Sequence, residues 1–337
     1  MVFITGECER GCWYCPVSPE RKGRDVMYAN ERPVRGERDL LEEAEIMDAK
    51  GASLTGGDIT LRLDRCEEVV TTLKGEFGED FHVHAYVPAE SVSREALDRL
   101  SEAGLDELRI HPSFNEDINE RAARLASEYD WDAGFEMPAI PGREDWIVEV
   151  ARLSERHGLD FLNVNELEFT ESNAEELKVR GFKRVSEDSD AVQGSEETAI
   201  RGLARAAKEV SITLHYCPSV VKDSVQLRER LKRTALNVAE EHEMVDEDGL
   251  IVRGEIRVKS GDPEDVARVL TEILEVPEEW VRVRTDRVEV KPVVLEELAD
   301  LLDDIAEAAG CELEAVIVRE YPTWDRTVVE VWPVGGE

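Results

Sequence analysis

The sequence contains no second pair of closely spaced cysteines. Three of its six cysteines, Cys8, Cys12 and Cys15, crowd one stretch near the N-terminus, while Cys66, Cys217 and Cys311 each stand alone. There is no signal-like leader either, and together these facts exclude a secreted disulfide scaffold. No apolar run approaches the ~20 residues of a membrane-spanning helix. The N-terminus runs directly into the cysteine stretch, which leaves no room for a targeting peptide and makes a cytoplasmic location the expectation. Positive charge is in deficit: 41 Lys and Arg face 77 Asp and Glu, a formal net charge of −36. Either the protein repels nucleic acid and membrane surfaces, or its host cytoplasm is salty or hot and acidic surfaces are general there. Aromatics make up only 6% and charged residues 35%, which favours the second reading, so net charge excludes little about partners. Hydrophobic residues form 42% of 337, enough to build one large domain or two smaller ones.

What is present is concentrated in Cys8-Glu9-Arg10-Gly11-Cys12-Trp13-Tyr14-Cys15, directly after the strand-like run Val2-Phe3-Ile4-Thr5. A [4Fe–4S] cluster usually takes four thiolates, one per iron. Three on one loop leave an iron open to a small chelate, such as the amino and carboxylate groups of an amino acid. Zinc is the rival, although zinc ribbons present two C-x2-C-like pairs, or one pair with histidines.

The C-x3-C-x2-C spacing with an aromatic before the last cysteine resembles the signature of the radical S-adenosylmethionine (SAM) superfamily. The resemblance implies that Cys8, Cys12 and Cys15 hold the cluster, that SAM binds the open iron, and that Tyr14 packs against the adenine. Ala52-Ser53-Leu54-Thr55 reads as a second strand, followed by Gly56-Gly57-Asp58. Paired glycines after a strand let backbone approach a ligand closely. In the family this place resembles a Gly-Gly-Glu motif that binds the SAM amino group, with Asp58 here as a shorter acid. The compact N-terminus and this motif look like the branch related to pyruvate formate-lyase activating enzyme.

Strands and helices then alternate. Strands are expected at 81–87, 107–111, 131–137 and 161–164, and helices at 39–50, 65–74, 93–102, 117–127, 145–157 and 174–181. Gly104, Gly158 and Gly181 serve as helix stops. Six βα units in the first 182 residues argue for a parallel sheet, and the resemblance implies a partial (β/α)6 barrel. In parallel α/β folds the site lies at the C-terminal strand ends. Cys8, Gly56, Tyr86, His111, Pro138 and Asn165 fall there. His84, His111 and Glu136 are candidate contacts for SAM or substrate, or else structural polar residues. Asn163, Asn165 and Glu166 put polar side chains where a buried parallel strand should be apolar, which suggests a lined pocket. The loop from Pro16 to about Glu37, with Arg21, Lys22 and Arg24, is either functional or a solvated connection.

Residues 185–197 read as an acidic linker or exposed loop. Helices at 198–209 and 225–241 flank a seventh strand at 210–215, and Cys217 follows it as a candidate catalytic thiol or ligand. Residues 222–233 carry five bases (Lys222, Arg228, Arg230, Lys232, Arg233) against Asp223 and Glu229. This basic island suits a phosphate-bearing substrate, a tRNA segment or the SAM carboxylate, or it pairs with acidic neighbours. The final hundred residues read as ββ-α-ββ-α-ββ.

The expected organisation is α/β: a radical SAM partial barrel over 1–182, a βα extension and linker over 183–241, and a small antiparallel α+β domain over 242–337 for substrate recognition or dimerisation. The implied activity is reductive cleavage of SAM at the cluster. The resulting 5′-deoxyadenosyl radical abstracts hydrogen from a tRNA base or phosphorylated metabolite, and a flavodoxin- or ferredoxin-type donor supplies the electron. The alternatives are a glycyl-radical activating enzyme and a non-catalytic Fe–S or zinc module.

Overall fold

The computed structural model describes residues 1–334. Residues 335–337, the last three of the expected C-terminal domain, lie outside the described residues, as does the side chain of Asp223 from the basic island. The chain forms two compact units. One comprises Met1–Glu43 and Ala49–Ser224; the other comprises Ala44–Asp48 and the chain from Val225 onward.

The first unit is built on one open sheet. Its strands are β1 (Val2–Thr5), β2 (Tyr28–Ala29), β3 (Arg32–Pro33), β4 (Gly51–Gly56), β5 (His82–Pro88), β6 (Glu107–His111), β7 (Asp132–Ala139), β8 (Phe161–Glu166) and β9 (Thr213–Cys217). They lie in the order β3-β2-β1-β4-β5-β6-β7-β8-β9. β1 and β4 through β9 are mutually parallel, and β2–β3 is an antiparallel hairpin on the edge of β1. The parallel series therefore runs one strand beyond the six expected, because β9 pairs with β8.

Helices α1 (Glu37–Ile46), α2 (Leu63–Phe77), α3 (Arg94–Glu102), α4 (Glu116–Ala126), α5 (Glu144–His157), α6 (Ala174–Val179) and α7 (Ser195–Ala206) connect the strands. Ser93 and Asn115 cap α3 and α4 by accepting from backbone amides, and Gly158 closes α5 in the left-handed region. Val69, Val70 and Leu73 of α2 and Leu97 and Leu100 of α3 repeat at helical spacing and are buried. Each such burial contributes ~1.5–3 kcal/mol. Val83, Ala85, Val87, Leu108, Ile110, Phe135, Met137, Leu162 and Val164 alternate along the strands as the other half of this core.

Two expectations are refined. Of the two readings of 185–197, the exposed loop describes Val185–Asp188 and Asp190, but the segment is anchored: Ala191 and Val192 are buried, Val192 N–H donates to Leu167 O (2.8 Å), and Phe169 N–H donates to Asp190 O (2.7 Å). An apolar pair inside an acidic run was enough to anchor it. The expected helix at 225–241 is a π-helical stretch, Lys222–Leu227, followed by an α-helix over Arg228–Val238.

The second unit is a sheet of β10 (Met244–Val245), β11 (Ile251–Ser260), β12 (Val281–Val283), β13 (Arg287–Val290), β14 (Glu312–Glu320) and β15 (Val328–Pro333), all antiparallel, ordered β12-β13-β11-β14-β15 with β10 beside β11. One face is apolar, with Ile256, Val266, Leu270, Val288, Val290, Leu295 and Ile305 packed together. The other carries a buried ionic cluster. Arg253 meets Glu320 (2.7 Å), Glu255 (2.9 Å), Glu289 (3.5 Å) and Glu243 (3.8 Å). Burial alone would raise Glu289, but donation from His242, Arg284 and Arg287 and the charge of Arg253 outweigh it and hold it at about 2.

The sign of this linkage is set by a depressed carboxyl: its stabilisation is complete above the ordinary glutamate value of 4.5 and is lost as pH falls toward about 2. Amide exchange in β11 and β13 should therefore accelerate across that window. Arg253→Met should destabilise the unit by ~3–5 kcal/mol at pH 7, because it strands buried carboxylates. Hydrogen-exchange mass spectrometry of those strands checks both, and unchanged protection in the variant would remove the cluster from the unit's stability.

Candidate functional site

The cysteine loop follows β1, and its seating depends on glycine. Gly57 N–H donates to Thr5 O (2.7 Å) and Asp58 N–H donates to Glu7 O (2.7 Å), so the chain after β4 continues pairing with the chain entering the loop. A Cβ on Gly57 would stand 2.2 Å from Glu7 O, and one on Gly56 2.3 Å from Thr5 O; Gly56 also has φ +143. The pair thus admits a close backbone approach within the protein, where the sequence suggested an approach to a ligand, and both glycines still line the cavity. Asp58 is turned to structural work. Its carboxylate accepts from Thr60 N (3.0 Å), Thr60 Oγ1 (2.7 Å) and the Ser91 hydroxyl, and it does not line the cavity.

Two further attachments hold the loop. The half-buried Arg10 donates to His111 O (3.1 Å) and Pro112 O and pairs with Glu90 (3.5 Å). From the other side, the segment after β8 straps over it. Asn173 is 1% exposed and donates to Tyr14 O (3.2 Å) and Glu168 O (3.0 Å), while its own oxygen accepts from Thr170 N (2.8 Å). Ser172 donates to Val17 O, Phe182 stacks on Trp13 with ring centroids 5.7 Å apart, and Arg180 lies over the same indole at 4.8 Å.

The loop borders a cavity of about 510 Å³ at the C-terminal strand ends, and Cys8, Cys12 and Cys15 all line it. Facing them are Tyr86, His111, Glu136, Asn165, Glu166, Glu168 and Lys222. Beneath lies a polar network on the sheet face turned away from the apolar core. Arg109 donates to Tyr86 Oη (3.0 Å), Glu136 (3.0 Å) and Glu107, and Glu136 also accepts from Asn163 (3.2 Å) and Asn165 (2.7 Å). Strand register assembles it by pairing Tyr86 with Arg109, Glu136 with Asn163 and Pro138 with Asn165.

The protonation of the wall follows from its surroundings. His111 is pushed down to about 3 by burial and Arg10, so it is neutral. Its Nδ1 lies 3.1 Å from the Glu136 carbonyl, which can only accept, so Nδ1 carries the proton and Nε2 accepts from Tyr14 Oη at 3.0 Å. Burial, then Cys12, raises Tyr14, and it keeps that proton. Burial raises Cys12 despite Arg10. His84 is held at about 3 by burial, Arg109 and His82; it contacts His82 and Tyr86 but does not line the cavity. Cys217 ends β9 opposite Asn165, outside the lining, with its thiol raised by burial. Of the expected site residues, the cavity gathers Cys8, Cys12, Cys15, Tyr14, Gly56, Gly57, His111 and Glu136; it leaves out Asp58, His84 and Cys217. Arg10, Arg109 and Asn173 were not foreseen. A charge in the middle of a buried parallel strand was a usable signal for Arg109, whereas nothing local marks Asn173.

The three thiols suit a multi-iron cluster. They are free and all three line the cavity. Three thiolates can serve three irons one each and leave a fourth open.

Comparisons with known proteins agree. A profile of the radical SAM superfamily matches residues 2–154, and one described as a domain of unknown function (DUF8061) matches 249–334. A Methanocaldococcus jannaschii protein, whose name gives it as a candidate glycyl-radical enzyme activating enzyme, is 39% identical over 99% of this chain and 89% of its own length. Among solved structures, methylornithine synthase (PylB) is 15% identical with a TM-score of 0.44, covering 62% of each chain. Streptococcus suis SuiB bound to S-adenosylmethionine is 10% identical with a TM-score of 0.43, covering 67% of this chain and 52% of its own.

The loop's attachments can be tested apart from catalysis. Gly57→Ala and Asn173→Ala should each lower iron and sulfide bound per chain after anaerobic reconstitution, Gly57→Ala by more than half, with far-UV circular dichroism unchanged. Asn173→Asp, which keeps the acceptor but loses the donor to Tyr14 O, should behave like the alanine variant. Full iron content in all three would mean that the loop needs neither contact.

Proposed function

Since the chain belongs to the radical SAM superfamily, with S-adenosylmethionine and a [4Fe–4S] cluster as cofactors, we propose that it activates a partner protein by removing a hydrogen atom from a glycine Cα. The observation that carries this reading is the name of the 39% identical relative, whose match spans 99% of this chain and so includes the C-terminal unit. The reading on a tRNA base or phosphorylated metabolite leaned on the basic island, which has less to support it. Lys222 belongs to the first unit's cavity wall and pairs with Glu168 (3.2 Å). In the second unit, Arg228 pairs with Glu229 (3.8 Å) and Arg233 donates to Met47 O (3.4 Å).

When bound, the cluster supplies the electron that cleaves S-adenosylmethionine to methionine and a 5′-deoxyadenosyl radical. The protein's share is holding and shielding. Cys8, Cys12 and Cys15 are the cluster ligands. Gly56 and Gly57 present backbone at the cavity wall, and Tyr14 and His111 form a neutral, mutually hydrogen-bonded side of it. Glu136 is fixed by Arg109, Asn163 and Asn165, so its carboxylate offers a preorganised acceptor to hydroxyl or amide donors entering the cavity. Cys217, whose S–H would quench a carbon radical, stands outside the lining, and no step is assigned to it.

The reconstituted enzyme, reduced and given S-adenosylmethionine, should release 5′-deoxyadenosine. With the partner chain recovered by anaerobic cross-linking, it should generate a glycyl radical visible by electron paramagnetic resonance. Deuterium placed on that glycine Cα should appear in the 5′-deoxyadenosine. Label arriving instead from a nucleoside or phosphorylated metabolite would sink this reading. Cys12→Ala should abolish iron binding, whereas Cys217→Ala should retain both iron and 5′-deoxyadenosine release.

A further inference from the structure

We propose that Arg10 is a positioning residue that sets the reduction potential of the cluster, and that Glu90 limits its effect from the solvent side. The proposal rests on the cluster that the family membership supplies, and not on glycine being the hydrogen donor.

The cation is fixed where the ligands are. Arg10 stands between Cys8 and Cys12 in sequence, and it lines the cavity together with Cys8, Cys12 and Cys15. Its backbone N–H donates to Cys8 Sγ (3.4 Å). Its guanidinium donates to His111 O (3.1 Å) and Pro112 O at the end of β6, and it meets Glu90 at 3.5 Å. Three contacts from two neighbouring segments keep the charge from swinging out to solvent. Burial raises the Cys12 thiol, and among charged side chains Arg10 works against that rise most strongly.

Glu90 does not cancel this charge. The Arg10 side chain is 12% exposed and that of Glu90 35%, so water screens the carboxylate more than the guanidinium. The other charges of the lining are answered elsewhere. Glu136 pairs with Arg109 (3.0 Å) and Glu168 with Lys222 (3.2 Å), while Glu166 accepts from the Ser219 amide (2.8 Å) and hydroxyl (2.9 Å). Lys22, also in the lining, is exposed to solvent. Arg10 is thus the positive charge held out of water beside the cysteines.

Reduction adds one electron to the cluster held by Cys8, Cys12 and Cys15 and makes it more negative by one charge. The reductant is oxidised by one electron; no bond forms or breaks and no proton moves. A fixed cation favours the more negative state. Net charge, hydrogen bonds to the sulfurs and solvent exposure are the protein's means of setting such a potential, and Arg10 supplies the first two from one residue.

The test uses the reconstituted holoenzyme without S-adenosylmethionine or a partner chain. It is titrated anaerobically with dithionite through redox mediators while electron paramagnetic resonance follows the reduced cluster. The outcome is therefore separate from that of the glycine reading. Arg10→Gln should shift the reduction equilibrium about tenfold toward the oxidised cluster, a fall of ~59 mV for one electron. Glu90→Gln should shift it the opposite way by about threefold, because the lost carboxylate is the more screened member of the pair. Arg10→Lys, which keeps the charge, should stay within about threefold of the native chain. Iron and sulfide content, measured alongside, reports the loop's fold; if Arg10→Gln takes up too little iron to titrate, Glu90→Gln decides. Unchanged potentials in Arg10→Gln and Glu90→Gln would overturn the proposal. So would shifts of the same sign in both, which would assign the effect to entry of solvent. Arg10→Lys falling as far as Arg10→Gln would overturn it too, by assigning the effect to the two carbonyl contacts.

Discussion

Everything the first unit does depends on two backbone hydrogen bonds, Gly57 N–H to Thr5 O and Asp58 N–H to Glu7 O. They extend the pairing of β1 and β4 past the ends of both strands and bring two loops into contact that would otherwise diverge. Any side chain at Gly56 or Gly57 would overlap the carbonyl it approaches. The requirement is steric and absolute at that spacing. The same contact that lets backbone line the cavity also stops the three cysteines from wandering. Arg10 and Asn173 complete the restraint from two other directions, binding carbonyls at the end of β6 and within the loop itself. A cluster-bearing loop held at three points loses little conformational entropy when its ligands are occupied, because folding has already fixed it.

The second constraint comes from the sheet. Parallel strands buried on both faces are normally apolar throughout. Here one face of β5 to β8 carries Tyr86, Glu107, Arg109, Glu136, Asn163 and Asn165, and the structure satisfies these groups against one another. One carboxylate, Glu136, accepts from one guanidinium and two amides, and the guanidinium of Arg109 also serves Glu107 and Tyr86. A polar network in a low-dielectric interior is stable only when fully paired. Four strands supply its members, so their register is specified by charge as well as by hydrophobic pattern. The second unit uses the same device on a different sheet, where Arg253 meets four buried glutamates and further arginines balance the excess.

How much of this could be read from residues alone differs by feature, and the differences have physical causes. β5, β6 and α5 were legible because apolar periodicity and caps are local signals. The place of the cysteine loop at the end of β1 was legible because the apolar run before it is a local signal. The glycine pair was found, but not its second constraint: its close neighbour is also the chain's own backbone, which sequence does not display. The joining of β9 to the sheet and the strap at Asn173 depend on contacts across tens to more than a hundred residues, and no local pattern announces them. Asp58 looked like a ligand-facing acid because of its motif position, yet a hydroxyl two residues on and another from Ser91 claim its carboxylate. Glu136, Asn163 and Asn165 were suspected from their polarity, and register turned that suspicion into a network.

One property of the cavity emerges only when the shifts are taken together. In the lining, His111 is driven down to about 3 and is neutral, while Tyr14 and Tyr86 are driven up and keep their protons; behind it, His84 is likewise held at about 3. In every one of these groups burial is the leading cause, so the shifts share one origin: walls with little water. These four groups carry the same charge from mildly acidic to mildly alkaline pH. Cys12 is the exception with consequences. Burial raises its thiol too, so in the metal-free chain it holds its proton, and binding a metal must displace that proton. Metal binding at Cys12 is therefore coupled to proton release, while the buried histidines and tyrosines keep one protonation state. Both behaviours follow from the same exclusion of water that a carbon-centred radical requires.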